Sequence, residues 1–156
     1  MLLKNKQCGV ALLEVMISVF ILAIGLLGLA QLQATALKHN ESAYLRSQAS
    51  TLASDVLDSM RSNITATQAG NYNFSVSDTP PATPNTIAER DIVAWLNNIR
   101  TFMPAGSNGL VACTDSNNGD GLACSAGSLQ TVTIRWIEAK NDGSRGQTEF
   151  IYSGIL

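Results

Sequence analysis

Residues 10–37 read VALLEVMISVFILAIGLLGLAQLQATAL, and this stretch decides how the remainder of the chain is interpreted. No charged side chain occurs from Val15 to Leu37, a run of 23 residues. A helix of that length spans roughly 35 Å, which exceeds the hydrocarbon core of a bilayer at about 30 Å. The stretch therefore predicts one helix that is long and apolar enough to cross a membrane.

The charges on either side of this stretch predict its orientation. Lys4 and Lys6 precede it, and no acidic residue lies among residues 1–13. Basic segments next to a membrane helix tend to stay on the cytoplasmic side, so we expect a cytoplasmic N-terminus. Everything after Lys38 is then exported, and the remainder of the chain is predicted to be periplasmic or extracellular.

The composition limits the size and the partners of the exported part. A chain of 156 residues has room for one domain with a modest core. The formal net charge is -2 and only 14% of residues are charged, so the chain offers no basic face of the kind that nucleic-acid binding requires. We therefore expect a single domain beside the apolar helix, and no nucleic-acid partner.

Two simple interpretations of the apolar stretch stay open. It can be a secretory signal peptide that is cut near Ala34-Thr35-Ala36, or an uncleaved membrane anchor. The uncharged run is longer than the 7–15 residues typical of the apolar part of a signal peptide. Neither interpretation explains why an acid, Glu14, stands where the apolar run begins.

Residues 8–16, CGVALLEVM, place a glycine before an apolar run that one acid interrupts five positions later. This pattern resembles the class III signal of type IV pilins and their relatives. In that family a prepilin peptidase in the inner membrane cuts after the glycine and methylates the new terminal amine. The resemblance implies that Gly9 precedes the scissile bond, that Val10 becomes the N-methylated mature N-terminus, and that Glu14 is the acid at the fifth mature position.

The glycine at position 9 and the glutamate at position 14 each have a physical reason. A glycine at position 9 lets the peptidase approach the scissile carbonyl closely and leaves backbone geometries open that other residues exclude. A carboxylate within an apolar helix is costly unless a positive group neutralises it. We expect Glu14 to pair with the N-terminal ammonium of a neighbouring subunit, which also sets the register between the two helices.

Residues 21–33, ILAIGLLGLAQLQ, resemble the anchor of PilV-type minor pilins within that superfamily. Two features depart from the usual pattern. Val10 stands where most pilins have phenylalanine, which predicts less efficient processing, and no proline interrupts the anchor. Gly25 and Gly28 then either soften the helix or permit close helix packing, and both interpretations stay open.

The resemblance implies a leader at residues 1–9, a transmembrane and filament-core helix at residues 10–37, and a periplasmic globular pilin domain at residues 38–156. The implied function is that of a minor pilin, which primes type IV pilus assembly with other minor pilins and lies near the filament tip. A pseudopilin of a type II secretion system is the alternative.

The resemblance also implies partners and a location. The expected partners are the prepilin peptidase, other minor pilins and the major pilin, and a tip adhesin is a further partner that this interpretation permits. We expect the chain in the bacterial inner membrane, with its N-terminus in the cytoplasm, and then in the pilus at the cell surface. Cell adhesion and twitching motility are the associated activities.

Beyond the membrane stretch, the apolar residues fall on one stripe of a helix. This stripe consists of Leu45, Leu52, Val56, Leu57 and Met60. One continuous helix from about Val10 to Arg61 is therefore predicted. Its second half is expected to lie on a small antiparallel sheet, in an α+β domain.

The next segment predicts loops and a second helix. Residues 62–85 are rich in loop-forming residues, although residues 72–76 can form a short strand. Thr86 and Glu89 predict a capping box, and helical spacing of apolar residues then continues until Pro104. We expect Trp95 and Phe102 of this helix to be core residues.

The last part of the chain predicts a hairpin. Residues 129–140 alternate apolar and polar side chains, residues 141–144 (NDGS) predict a turn, and residues 148–152 return as a second strand.

Cys113 and Cys124 are predicted to form a disulfide, because they are the only cysteines left after removal of a leader that carries Cys8. The loop between them faintly resembles a calcium loop. Its spacing fails, because Gly119 occupies the third ligand position and no glutamate follows at the twelfth. We expect a solvated loop without a metal.

No enzymatic chemistry is predicted for this chain. The single histidine, His39, directly follows the anchor, no nucleophile has an evident base partner, and no glycine-rich phosphate loop follows a strand. We expect His39 to be a solvated or interface residue, and we expect no cofactor.

Overall fold

The fold is that of a computed structural model, which describes residues 10–117, 119–140 and 144–155. The leader with Gly9, residue Asn118, residues 141–143 of the predicted turn at 141–144, and Leu156 lie outside the described residues. The chain divides into two compact units, Met1–Glu41 and Ser42–Leu156. We call these the N-terminal unit and the C-terminal unit.

Helix α1 runs without interruption over Val10–Ser62, which confirms the predicted continuous helix. In the C-terminal unit, one stripe of this helix is buried at steps of three and four residues, the period of a helix face. The buried residues are Leu45, Ala49, Leu52, Ala53, Val56, Leu57 and Met60. A short helix α2, Ile64–Gln68, follows.

Helix α3, Ile87–Phe102, starts at the predicted capping box. The Thr86 side chain accepts a hydrogen bond from the Glu89 backbone N–H at 3.2 Å, and the Glu89 carboxylate accepts one in return from the Thr86 backbone N–H at 3.1 Å. Trp95 is buried, as predicted, and its indole N–H donates to the Leu52 carbonyl at 2.9 Å, which ties α3 to α1.

The prediction that Phe102 belongs to the core is wrong. Its side chain is 54% exposed. Phe102 is the last residue of α3, and Met103, four positions after the fully buried Ile99, completes the buried stripe instead. The buried stripe therefore continues from Ile99 at a spacing of four residues, and Phe102, at a spacing of three, lies outside it.

The sheet contains three antiparallel strands in the order β1-β2-β3. They are β1, Asn108–Thr114, β2, Leu129–Ala139, and β3, Arg145–Ile155. The hairpin of β2 and β3 was predicted, although β3 is longer at both ends. Strand β1 was not predicted, and the expected strand at residues 72–76 is reduced to one bridge between Phe74 and Val111.

The core lies between the stripe of α1, helix α3 and the inner face of the sheet. Alternate residues of β2 point into it, in keeping with the two-residue period of a strand, and these are Gln130, Val132, Ile134 and Trp136. This arrangement confirms the predicted α+β fold, with a long N-terminal helix packed on a small antiparallel sheet.

Candidate functional site

The N-terminal unit has no buried side chain among its described residues. Every described side chain at positions 12–41 is exposed. The large apolar side chains between Leu12 and Leu37 are 51% to 72% exposed, and they lie on all sides of the helix rather than on one stripe. A helix that is apolar all round is typical of a membrane span or of the interior of an assembly.

The exposed apolar surface of this helix requires a covering. Burial of one such side chain is worth about 1.5 to 3 kcal/mol, so a whole helix of them is strongly unfavourable in water. By length and composition, the helix that contains Leu12–Ser62 can cross a membrane. The exposed apolar surface of this part of α1 is of the kind that a bilayer or packed helices cover.

Glu14 lies in the second turn of α1, and its side chain is exposed. The Ser18 hydroxyl donates to the Glu14 backbone carbonyl at 2.8 Å, and the Thr35 hydroxyl donates to the Gln31 carbonyl at 3.0 Å. These hydroxyls are thus satisfied within the helix, as apolar surroundings require. The carboxylate of Glu14 has no hydrogen-bond or ion-pair partner among the described residues.

Val10 is the first residue of α1, four positions before Glu14, so the two backbone positions are one helical turn apart. The predicted scissile bond itself involves Gly9 and lies outside the described residues. The predicted processing of Gly9 and Val10 and the predicted assembly role of Glu14 therefore remain predictions.

Gly25 and Gly28 are not required by contacts within the chain. A methyl group added at either position would have no neighbouring atom within 4 Å. Helix softening and close approach of another helix therefore both stay open as reasons for a glycine at these sites.

The predicted disulfide between Cys113 and Cys124 is present in the C-terminal unit, with the two Cα atoms 5.9 Å apart. Cys113 lies in β1, and Cys124 lies in the connection to β2. The Cys124 side chain is 2% exposed and receives a hydrogen bond from the buried Gln130 amide. The disulfide thus fastens the longest connection of the sheet to the core.

Asp115 organises the same loop. Its carboxylate accepts hydrogen bonds from the Ser125 backbone N–H and from the Ser128 hydroxyl, both at 2.9 Å, and from the Ser125 hydroxyl. The hydrogen bonds from the Ser125 side chain and then from its backbone lower the pKa of Asp115 to about 2. This carboxylate therefore holds the loop together, and the described residues contain no cluster that could hold a metal ion.

A second buried network was missed by sequence reasoning. The Tyr72 hydroxyl donates to the Asp91 carboxylate and accepts from the Asn63 amide at 3.3 Å. Burial, followed by the hydrogen bond to Asp91, raises the pKa of Tyr72 to about 12. The network joins the loop after α2 to α3. No local sequence pattern predicts this hydrogen-bond network, because its three residues are far apart in sequence.

The comparisons with known proteins bear on the N-terminal unit. Residues 4–30 match the prokaryotic N-terminal methylation motif. No curated protein sequence and no solved structure matches the chain. The motif indicates a type IV pilin-like or pseudopilin-like protein, and it implies cleavage by a prepilin peptidase and assembly with other pilins. Together with the apolar helix, it indicates membrane anchoring.

Proposed function

We propose that this protein is a minor pilin of a type IV pilus, of the PilV type, which primes assembly with other minor pilins and is incorporated near the filament tip. The observation that carries the proposal is the exposed carboxylate of Glu14 near the start of α1, in a stretch whose described side chains, at positions 12–41, are all exposed. The apolar part of this stretch is stable only inside a membrane or an assembly, and Glu14, the one acid within residues 10–37, needs a cation there.

Processing supplies that cation. Cleavage between Gly9 and Val10 removes Lys4 and Lys6 and leaves a new amine at the first residue of α1. N-methylation of this amine keeps its positive charge. The positive end of the helix macrodipole disfavours an ammonium group at this terminus, so the new amine needs a carboxylate to neutralise it.

Pairing between subunits removes two unfavourable groups at once. An unpaired carboxylate and an unpaired ammonium each carry a large desolvation penalty in an apolar core, and direct contact offsets both. Glu14 of an arriving subunit therefore meets the N-terminal amine of its neighbour. Because this contact forms only in one relative position of the two helices, it also sets their register.

The minor-pilin assignment within the superfamily is supported by two features. Residues 21–33 have the order of apolar residues and glycines that resembles the PilV-type anchor, and the exported domain contains a disulfide. A pseudopilin of a type II secretion system would use the same leader and the same acid. Deletion of the gene separates the two: loss of surface pili supports the minor pilin, whereas loss of protein secretion with normal pili supports the pseudopilin.

The test of the assembly contact is Glu14→Ala, with Glu41→Ala as the matched control. Both glutamates are exposed on α1, but Glu41 lies beyond the apolar stretch. We expect the Glu14 variant to be cleaved normally and to enter sheared filaments at least about tenfold less than the unmodified chain, a difference of about 1.4 kcal/mol. Normal incorporation of this variant would contradict the pairing.

The mass of the mature chain tests processing and compartment together. We expect a chain that begins at Val10 and carries one additional methyl group. A chain that begins at Met1 would indicate an uncleaved anchor, and a chain cut after Ala36 would indicate a secretory signal peptide. Either result would contradict the proposed function. Gly9→Arg should leave the leader attached, because a large side chain blocks access to the scissile carbonyl.

A further inference from the structure

A cleft of about 440 Å³ lies beside the last part of β2 and the first part of β3. The described residues that line it include Asn108, Arg135, Ile137, Arg145 and Gln147. Binding sites for small molecules in proteins have volumes of about 300–1,000 Å³. The cleft therefore has room for an organic ligand that is larger than a simple ion.

The side chains of these five residues lie on the outer face of the sheet, which points away from the core. In the strand register, Arg135 is opposite Asn108 of β1, and Ile137 is opposite Gln147 of β3. Directly opposite residues of an antiparallel pair point to the same face, and so do residues two positions apart in one strand. The buried Trp136 marks the inner face, so its two neighbours in β2 point outward.

Two arginines give the cleft a positive charge. Arg135 donates from Nε to the Glu149 carboxylate at 3.2 Å, so this cation already has a partner. Arg145 is exposed, and its guanidinium has no hydrogen-bond or ion-pair partner among the described residues. No acidic side chain of the described residues lines the cleft. Because the planar guanidinium binds oxyanions through two parallel hydrogen bonds, Arg145 is suited to the anionic group of a ligand.

Two amide side chains add a second requirement. Neither Asn108 nor Gln147 has a side-chain hydrogen-bond partner among the described residues, and Asn108 Oδ1 is buried. Amides both donate and accept hydrogen bonds, and so do hydroxyl groups, whereas an ionised carboxylate only accepts. A ligand that carries hydroxyl groups beside its anionic group therefore matches the amides and Arg145 together.

We propose that this cleft binds a small organic anion that also carries hydroxyl groups, such as a sugar acid. Arg145 holds the anionic group, and the amides of Asn108 and Gln147 bind the hydroxyl groups. Ile137, which is 50% exposed, packs against the carbon skeleton of the ligand. The site belongs to the C-terminal unit alone, so its function is separate from the assembly contact of Glu14.

The test is calorimetric titration of the purified full chain, in an uncharged detergent, with glucuronate, glucose and acetate. Glucose lacks the anionic group of glucuronate, and acetate lacks its hydroxyl groups. We expect glucuronate to bind at millimolar concentrations, because it makes both kinds of contact. Its dissociation constant should be at least about tenfold lower than those of glucose and acetate.

The matched variants are Arg145→Gln and Arg90→Gln. Both arginines are exposed, but Arg90 belongs to α3 and does not line the cleft. We expect Arg145→Gln to weaken glucuronate binding at least about tenfold and Arg90→Gln to leave it unchanged. Gln147→Ala should weaken glucuronate binding by a smaller factor and leave acetate binding unchanged. Unfolding of each variant, followed by tryptophan fluorescence, shows whether the domain is still folded.

Three results would overturn the proposal. The first is an unmodified chain that does not bind glucuronate at millimolar concentrations. The second is equal affinity for glucuronate and glucose, which would mean that the anionic group is not recognised. The third is full affinity of Arg145→Gln with an unchanged free energy of unfolding, which would place the binding elsewhere. None of these measurements involves filaments, so their failure would leave the minor-pilin proposal intact.

Discussion

Helix α1 passes through two units that use the same apolar residue types in opposite ways. In the N-terminal unit, the leucines, isoleucines and valines that the structure describes are exposed on every side. In the C-terminal unit, the helix buries one stripe against α3 and the sheet, and most exposed residues of its remaining face are polar. One region therefore depends on surroundings that other molecules provide, whereas the other provides its own apolar surroundings.

The difference shows that one regular helix can carry two separate sources of stability. Helix formation satisfies the backbone hydrogen-bonding groups in both units, but it does not determine whether the side chains are buried. In the C-terminal unit burial is internal, so substitutions there should act on folding. In the N-terminal unit no described side chain is buried within the chain, so we expect substitutions there to act on insertion and assembly rather than on folding.

The largest expected effect separates two leucines of α1. Leu57 is 0% exposed and Leu27 is 72% exposed. Leu57→Ala should lower the free energy of unfolding of the C-terminal unit by about 2 to 5 kcal/mol, because it leaves a cavity, whereas Leu27→Ala should change it by less than about 0.5 kcal/mol. Denaturant unfolding in detergent, followed by fluorescence of the buried Trp95 and Trp136, measures both.

Equal destabilisation by the two leucine variants would contradict this difference between the two units, because it would mean that the N-terminal part of α1 contributes to folding of the domain. A reduction of filament incorporation by Leu27→Ala without a change in the free energy of unfolding would show that Leu27 acts only in assembly.

Removal of the disulfide should have a smaller effect that is confined to the C-terminal unit. Replacement of Cys113 and Cys124 by alanine should lower the free energy of unfolding by roughly 2 to 3 kcal/mol, because the unfolded chain gains freedom when a short loop is opened. Cys8→Ala serves as the control and should leave the free energy of unfolding unchanged, since Cys8 belongs to the predicted leader. Unaltered stability of the double variant would show that the hydrogen bonds around Asp115 hold the loop without the covalent link.

The smallest expected effect is a pH dependence from Asp115. Because the pKa of Asp115 is lowered from 3.8 to about 2 in the folded chain, its stabilising contribution is present above about pH 4. That contribution is lost as the pH falls from about 4 through 2. Asp115→Asn should therefore reduce the slope of stability against pH in this window, whereas the exposed Asp55→Asn should reduce it less. Parallel profiles for the unmodified chain and Asp115→Asn would contradict this role.

The long helix, the α3 capping box, the β2–β3 hairpin and the disulfide were all predictable, because each has a local or pairwise signature in the sequence. A 23-residue uncharged run, a Thr and Glu three positions apart, and alternating residues around a turn each specify backbone geometry over short distances. The match of residues 4–30 to the methylation motif is likewise a local signature, because the motif occupies one continuous segment of the sequence.

Sequence reasoning missed β1 and wrongly placed Phe102 in the core, and it missed the serines around Asp115. Strand β1 is short and contains two small residues, Gly109 and Ala112, so its alternation is weak. Gly109 is nevertheless required there, because a side chain at this position would collide with Trp95 and Ile99 of α3. That contact joins residues that are distant in the chain.

The sequence by itself thus determined that the chain has an apolar helix with a methylation motif at its start and an α+β domain behind it. Only the tertiary structure decided which edge of the sheet the chain covers with its own Phe74 loop and which edge it leaves open along β3. The physical reason is that strand order and edge coverage depend on contacts between distant segments, whereas helix periodicity and capping depend on neighbours within a few residues.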